Sequence, residues 1–271
     1  MSRIADCFAA AKAQGRKVLV PYLMGGDPNE ADTLRLMHAM VEAGADIIEL
    51  GLPFSDPMAD GPVIQAASER VLETHVRLPE VLGIVQAFRE TNATTPIVLM
   101  GYANPLAIMG FDTFAAEAER AGVDGVITVD MPPEEAGDLM PAFAKHGLDP
   151  IFLISPTTPA SRVNAVCEQG GGFIYYVSLK GVTGSSKLDT TEVAERVAEI
   201  KQHSDMPVGV GFGISDADAA ASVAQVADAV VIGSAIVKRI AAQSADADAM
   251  VADVSGFVAD IRAAMDQAST H

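Results

Sequence analysis

Glu49 sits in the run Ile47-Ile48-Glu49-Leu50-Gly51, where a carboxylate has little water to solvate it. An apolar setting raises a carboxyl pKa by penalising the charged form, which suits the group to acid and base work near neutral pH. A structural carboxylate satisfied by backbone or a hydroxyl is the other reading of that position. Eleven residues on, Asp60 closes the proline- and aspartate-rich segment Leu52-Pro53-Phe54-Ser55-Asp56-Pro57-Met58-Ala59-Asp60-Gly61-Pro62. That composition favours a defined loop over a helix, and its aspartates read equally as turn formers or helix caps. Asp130 is a third candidate, and it reads as well as a cap for the helix that Pro132 and Pro133 introduce. Two glycine-rich turns, Gly209-Val210-Gly211-Phe212-Gly213-Ile214-Ser215 and Val231-Ile232-Gly233-Ser234-Ala235, place small residues before short helices. Backbone N–H groups there can approach an anion, and helix starts add partial positive charge, so the chemistry to expect is phosphate binding. Gly181-Val182-Thr183-Gly184-Ser185-Ser186 reads as a further flexible loop and a plausible lid. Lys180 could serve a Schiff-base aldolase, but it lies past the apolar run that would desolvate its amine, so a solvated loop lysine is the simpler reading. None of His38, His75, His146, His203 and His271 ends a strand-like run, and Cys7 and Cys167 have no metal-ligand spacing.

Positioning these groups requires strands, and eight short apolar runs supply them: residues 17–23, 46–52, 96–102, 125–130, 150–154, 172–178, 207–212 and 228–232. They are continuously hydrophobic, as expected of parallel strands covered by helices on both faces, and Ala- and Glu-rich helical segments fill most gaps. Ala43-Gly44-Ala45-Asp46, Ala121-Gly122-Val123-Asp124 and Val226-Ala227-Asp228 repeat at strand starts, the first two with Gly closing the preceding helix. Eight strand-helix units predict an α/β fold, a (β/α)8 TIM barrel, over a single domain spanning 1–271. A doubly wound sheet is the alternative, but no Gly-x-Gly-x-x-Gly follows the first strand. Two additions are expected: an extra N-terminal helix over residues 1–16 capping the barrel floor, and extended loops after strands two and six. In such a barrel the active site lies at the C-terminal ends of the strands, which is where Glu49, Asp60 and both glycine-rich turns fall.

Charge limits the partners. Eighteen Lys and Arg against 36 Asp and Glu leave a formal charge of −18, so nucleic acid and anionic membranes are excluded as expected partners. No apolar run reaches the roughly 18 residues of a membrane span. The N-terminus Met-Ser-Arg-Ile-Ala-Asp-Cys lacks the apolar core of a signal peptide, and the expectation is a cytoplasmic protein.

The motifs together carry a resemblance. Pro21-Tyr22 with Gly26-Asp27-Pro28, Glu49-Leu50-Gly51-Leu52-Pro53-Phe54-Ser55-Asp56-Pro57 with Ala59-Asp60-Gly61-Pro62-Val63-Ile64-Gln65, Tyr102-Ala103-Asn104-Pro105, Gly181-Val182-Thr183-Gly184, Gly211-Phe212-Gly213-Ile214 and Gly233-Ser234-Ala235 resemble the tryptophan synthase α subunit family over nearly the whole chain. The resemblance implies a lyase that splits indole-3-glycerol phosphate into indole and glyceraldehyde 3-phosphate by a retro-aldol reaction. It implies Glu49 as the acid/base and Asp60 as acceptor of the indole N–H, stabilising the positive charge that develops there. It further implies that Tyr22, Met100, Tyr175, Phe212 and Val231 surround the indole and propyl chain, and that Thr183 meets Asp60 when the lid closes. Gly184, Gly213, Gly233 and Ser234 would hold the phosphate. The family's usual assembly is an α2β2 complex, so a β subunit carrying pyridoxal phosphate is the implied partner, the loop from Pro53 to Asp60 is implied as part of the contact, and no cofactor is implied in this chain.

Departures are small. Tyr22 stands where the best-known members carry phenylalanine, and Leu179-Lys180 replaces a more polar lid start seen in some members. A Schiff-base aldolase using Lys180 and a non-catalytic subunit that activates a β partner are the competing activities. Because neither glycine-rich turn contains Lys or Arg, backbone groups would hold the phosphate against an unfavourable overall field, and moderate salt should weaken substrate binding little.

Overall fold

The computed structural model describes residues 2–178, 190–211 and 213–268. Among them, strands β1 (Val18–Met24), β2 (Ile48–Gly51), β3 (Ile97–Gly101), β4 (Gly125–Thr128), β5 (Asp149–Ile151), β6 (Leu153–Ile154), β7 (Ile174–Val177), β8 (Val208–Gly211) and β9 (Ala229–Ile232) pair in parallel. The pairing order β5-β4-β3-β2-β1-β9-β8-β7-β6 begins and ends on segments that only Phe152 separates in the chain. The expected fifth strand is thus one stave in two pieces. Its first half bonds to β4 and its second to β7, and the Phe152 carbonyl accepts the Tyr175 N–H at 3.2 Å. Pro150 has no N–H to give the ladder, and the stave changes partner within two residues of it.

Side chains alternate across the wall. Val18, Val20, Ile47, Val98, Ile127, Ile151, Phe173, Ala229 and Val231 fill the interior, while Leu19, Ile48, Leu99, Phe152, Tyr176, Val210 and Val230 pack outward against the helices. Both sets are apolar, which is why the strands read as unbroken hydrophobic runs. Helix α1 (Arg3–Ala13) precedes the first strand, and the outer helices follow their strands: α2 (Glu30–Glu42), α3 (Pro62–Glu73), α4 (Leu78–Arg89), α5 (Ala103–Met109), α6 (Phe111–Ala121), α7 (Leu139–His146), α8 (Ala160–Gln169), α9 (Thr190–Lys201), α10 (Ala217–Ala224), α11 (Ser234–Gln243) and α12 (Ala247–Ala268). The N-terminal α1 is the expected floor. Its Ile4, Phe8 and Ala11 join the interior cluster, with Phe8 5.7 Å from Phe173 between ring centroids. The long segment after β2 holds α3 and α4. The loop after β7, the sixth strand of the sequence reading, lies outside the described residues. No helix of the described residues is long and apolar enough to cross a membrane.

The recurring strand starts have a structural role that helix ending alone did not suggest. Asp46 accepts the Leu19 N–H at 2.9 Å, Asp124 the Ile97 N–H at 2.8 Å, and Asp228 the Val208 N–H at 2.9 Å. Each aspartate therefore completes the ladder of the neighbouring strand at the barrel floor. Each also meets cations: Asp124 binds Arg3 at 2.7 Å and Arg89 at 2.8 Å, Asp46 has Arg16 and Arg262 at 3.4 Å, and Asp228 has Lys201 at 2.9 Å. The preceding Gly44 and Gly122 take φ +106° and +93°, and a Cβ there would lie 2.6 Å from Arg262 and 2.8 Å from Arg89. Glycine serves both the helix end and the close passage of the arginine stem.

Candidate active site

A cavity of about 850 Å³ opens at the C-terminal ends of the strands. Its floor is the upper layer of inward side chains: Tyr22 of β1, Glu49 of β2, Met100 of β3, Leu153 of β6, Tyr175 of β7 and Val231 of β9. These positions share one face of the wall because they follow the two-residue alternation of each strand. Two tyrosines lean across neighbouring strands. A Cβ on Gly51 would lie 2.2 Å from the Tyr22 hydroxyl, and one on Gly211 would lie 2.3 Å from that of Tyr175. Small residues on β2 and β8 thus make room for large ones on β1 and β7.

Glu49 is 1% exposed, and its Oε2 is buried without a hydrogen-bond partner. Burial first, and the charge of Asp60 second, push its carboxyl up to about 8. It is therefore chiefly protonated at neutral pH. Asp60 lines the same cavity from the loop between β2 and α3. Burial raises its carboxyl as well, while the Tyr102 hydroxyl opposes that rise. Tyr102 also accepts the Ala59 N–H at 3.0 Å and sits 5.1 Å from the Phe54 ring, so it ties the loop to the end of β3. Asp130 stands apart: it accepts the Ala103 N–H at 2.8 Å and thus serves the start of α5, not the helical turn after Pro132.

Another part of the lining comes from the two glycine-rich turns, through Gly213, Gly233 and Ser234. Gly233 precedes α11 without a side-chain cap, and the first turn of α11 has no acidic residue, leaving N–H groups and the positive end of the helix dipole exposed to a ligand. The two glycine-rich turns differ here. The start of α10 is closed by Asp216, which accepts the Ala219 N–H at 2.9 Å.

The structure thus gathers Tyr22, Glu49, Asp60, Met100, Tyr175, Gly213, Val231, Gly233 and Ser234 around one cavity. Thr183, Gly184, Phe212 and Lys180 lie outside the described residues. Sequence reasoning missed Val129, Leu153 and Val177, which strand parity would have found, and Ser155 and Thr158 on the loop after β6. It also missed Lys238 and Arg239, which line the cavity from α11. A cation-free phosphate end was expected from the turns alone; the helix that follows the second turn brings two cations within the same wall. Their signal was the spacing of four residues from Ser234 to Lys238, one helical turn.

Proton transfer on an anionic small molecule is the class of work that such a barrel mouth can perform. The model for the tryptophan synthase alpha chain family matches residues 8–266. The chain is 59% identical over 266 residues to the tryptophan synthase alpha chain of Thioalkalivibrio sulfidiphilus (strain HL-EbGR7), covering 98% of this chain and 100% of that one. It is 59% identical over 269 residues to that of Thiobacillus denitrificans (strain ATCC 25259 / T1), covering 99% and 98%. Among solved structures, tryptophan synthase subunit alpha from Legionella pneumophila str. Paris matches with a TM-score of 0.92 at 42% identity over 98% of this chain and 99% of that one. Tryptophan synthase from M. tuberculosis in its aminoacrylate-bound form matches with a TM-score of 0.86 at 35% identity, covering 98% and 100%. The chain belongs to the tryptophan synthase alpha chain family, which places it among the lyases of tryptophan biosynthesis.

Proposed function

We propose that Glu49 and Asp60 carry the cleavage of indole-3-glycerol phosphate into indole and glyceraldehyde 3-phosphate. The carrying observation is the buried Glu49 carboxyl, pushed up to about 8, in the same cavity as Asp60 and an open helix start. Protonated Glu49 gives its proton to C3 of the indole ring. Positive charge then develops on the ring nitrogen, where the Asp60 carboxylate accepts the N–H and stabilises it. The resulting Glu49 carboxylate takes the proton of the glycerol hydroxyl next to the ring, the bond between indole C3 and the glycerol carbon breaks, and its electron pair returns to the ring as the aldehyde forms. The proton lost by the hydroxyl replaces the one given to C3, so Glu49 ends as it began.

Tyr22, Met100, Tyr175 and Val231 enclose the indole and the propyl chain, with Phe212 as a further wall. Gly213, Gly233 and Ser234 hold the phosphate with Gly184, and Thr183 closes on Asp60. A β subunit carrying pyridoxal phosphate receives the indole, and the protein works in the cytoplasm. Supporting the docking of such a partner, Met58 and Ile108 are 79% and 80% exposed, on the two segments that the Ala59–Tyr102 bond joins. The test is indole formation by the full chain, with and without a β subunit. Glu49→Gln is expected to lower kcat by about three orders of magnitude or more, and Asp60→Asn by at least about two, with the far-ultraviolet spectrum unchanged. Near-normal turnover by a folded Glu49→Gln chain would remove Glu49 from the mechanism.

A further inference from the structure

Two cations line the cavity beside the proposed phosphate end, and they differ in what they already hold. Arg239 donates to Asp253 at 2.7 Å, and its guanidinium lies 4.3 Å from the centroid of the Phe257 ring. Its charge is compensated and its orientation fixed. Lys238 is exposed, lines the cavity with Gly233, Ser234 and Ala235, and has no carboxylate partner among the described residues.

Helix geometry aims this lysine. Lys238 follows Ser234 by four residues, hence by about one turn and roughly 6 Å of rise. Side chains on a helix lean toward its N-terminus, so the long Lys238 stem reaches back over the first turn. Its position leaves the ammonium free to meet a ligand. A cation near a helix start opposes the helix dipole, and α11 offers no first-turn acid to offset it. Among the described residues, Arg239 and not Lys238 is paired with a carboxylate. An anion at the start of α11 relieves the lysine and the helix dipole together.

We infer that Lys238 is the cationic arm of the phosphate subsite, reaching over the first turn of α11 to bind the phosphate of the substrate in its doubly charged form. The inference rests on the reading of the α11 start as the phosphate end. It also reverses the expected indifference to salt, because an exposed ammonium and a phosphate are screened within a Debye length.

The experiment compares the full-length wild-type chain with Lys238→Gln, Lys238→Arg and Lys145→Gln. Lys145→Gln removes the same charge from a surface pair with Asp112. Indole formation from indole-3-glycerol phosphate is measured between about 20 and 200 mM salt, and glycerol 3-phosphate binding is followed by calorimetry. In Lys238→Gln, KM rises roughly three- to tenfold at low salt, a range discounted for the exposure of the lysine. Its kcat stays unchanged and its KM loses the salt dependence seen in wild type. Glycerol 3-phosphate binding weakens in parallel, inhibition by indole is unaltered, Lys238→Arg restores most of the loss, and Lys145→Gln behaves as wild type. A Lys238→Gln KM and glycerol 3-phosphate affinity within twofold of wild type overturn the inference, as does an equal effect of Lys145→Gln, which would assign it to net charge. Absence of indole formation by wild type would count against the lyase reading itself, and calorimetry would still decide the role of Lys238.

Discussion

At the scale of single residues, the burial of Glu49 makes a prediction about pH. In the proposed mechanism Glu49 is the acid at indole C3, and its proton is lost as pH rises through a carboxyl pKa of about 8, so kcat is expected to fall on that side with a midpoint near 8. The same mechanism uses Asp60 ionised, so activity is expected to fall at low pH as well, through a carboxyl that burial has raised. The charge of Asp60 contributes to the elevation of Glu49. Asp60→Asn therefore moves the alkaline limb of the residual activity to lower pH, and an unmoved limb in a rate-versus-pH series would show that the two carboxyls do not communicate. Stability carries the same signature. Unfolded Glu49 ionises near 4.5 and the folded group near 8, so the folded state holds the extra proton between those values and stability declines as pH rises through that window. Glu49→Gln lacks this loss. Its melting temperature should gain on wild type from pH 5 to pH 8 and keep a constant lead above, the full difference being on the order of a few kcal/mol. Glu49 was legible in the sequence because a charge inside an apolar strand has few uses. The pairing of Asp60 with Tyr102 was not, because 42 positions, two helices and a strand separate them in the chain.

At the scale of elements, the aspartates at the strand starts are the clearest gain over the sequence. Their repetition was visible as a pattern of helix ends, but their carboxylates bond to the adjacent strand, and register across a barrel wall is set only when the strands meet. Asp124 is 5% exposed and holds Arg3, Arg89 and the Ile97 N–H at once. Asp124→Ala leaves the largely buried Arg89 and the Ile97 N–H uncompensated, and about 3 kcal/mol or more should be lost. A drop in melting temperature of roughly 6–15 °C is expected, with KM for indole-3-glycerol phosphate little changed. The site lies at the other end of the barrel, so a selective loss of substrate affinity in a stably folded variant would contradict this division between floor and mouth. Helix α11 shows the same gap between pattern and placement. Its glycine-rich start and the one-turn spacing of Lys238 from it were readable, whereas their place in the wall of the cavity depended on how the folded helix sits against the barrel.

For the molecule as a whole, a formal charge of −18 implies self-repulsion that salt relieves. The paired floor aspartates are largely buried and are screened less than surface charges. The melting temperature should therefore rise by a few degrees between about 10 and 150 mM salt, while KM rises over the same range through Lys238. Thermal melts and initial rates in one salt series check both, and a falling melting temperature would mean that attractive pairs outweigh the net repulsion. The global charge limits the partners, but it does not describe the field inside the cavity, where an uncapped helix start and a lysine line the wall.

By itself the sequence determined the alternation of apolar strands and helices, the plug over the barrel floor, the anomalous glutamate and the glycine-rich turns, because periodicity, glycine and misplaced charge are local properties. The chain pattern also fixed which end of each strand would carry polar groups. Only the tertiary structure decided that the fifth stave changes partner at Phe152 and closes the barrel, that Glu49 and Asp60 share one cavity, and that the floor aspartates complete their neighbours' ladders. It alone decided that the start of α11 and Lys238 line the cavity that also holds Glu49. Each depends on distances between segments far apart in sequence, and those distances exist only once the strands have closed into a ring.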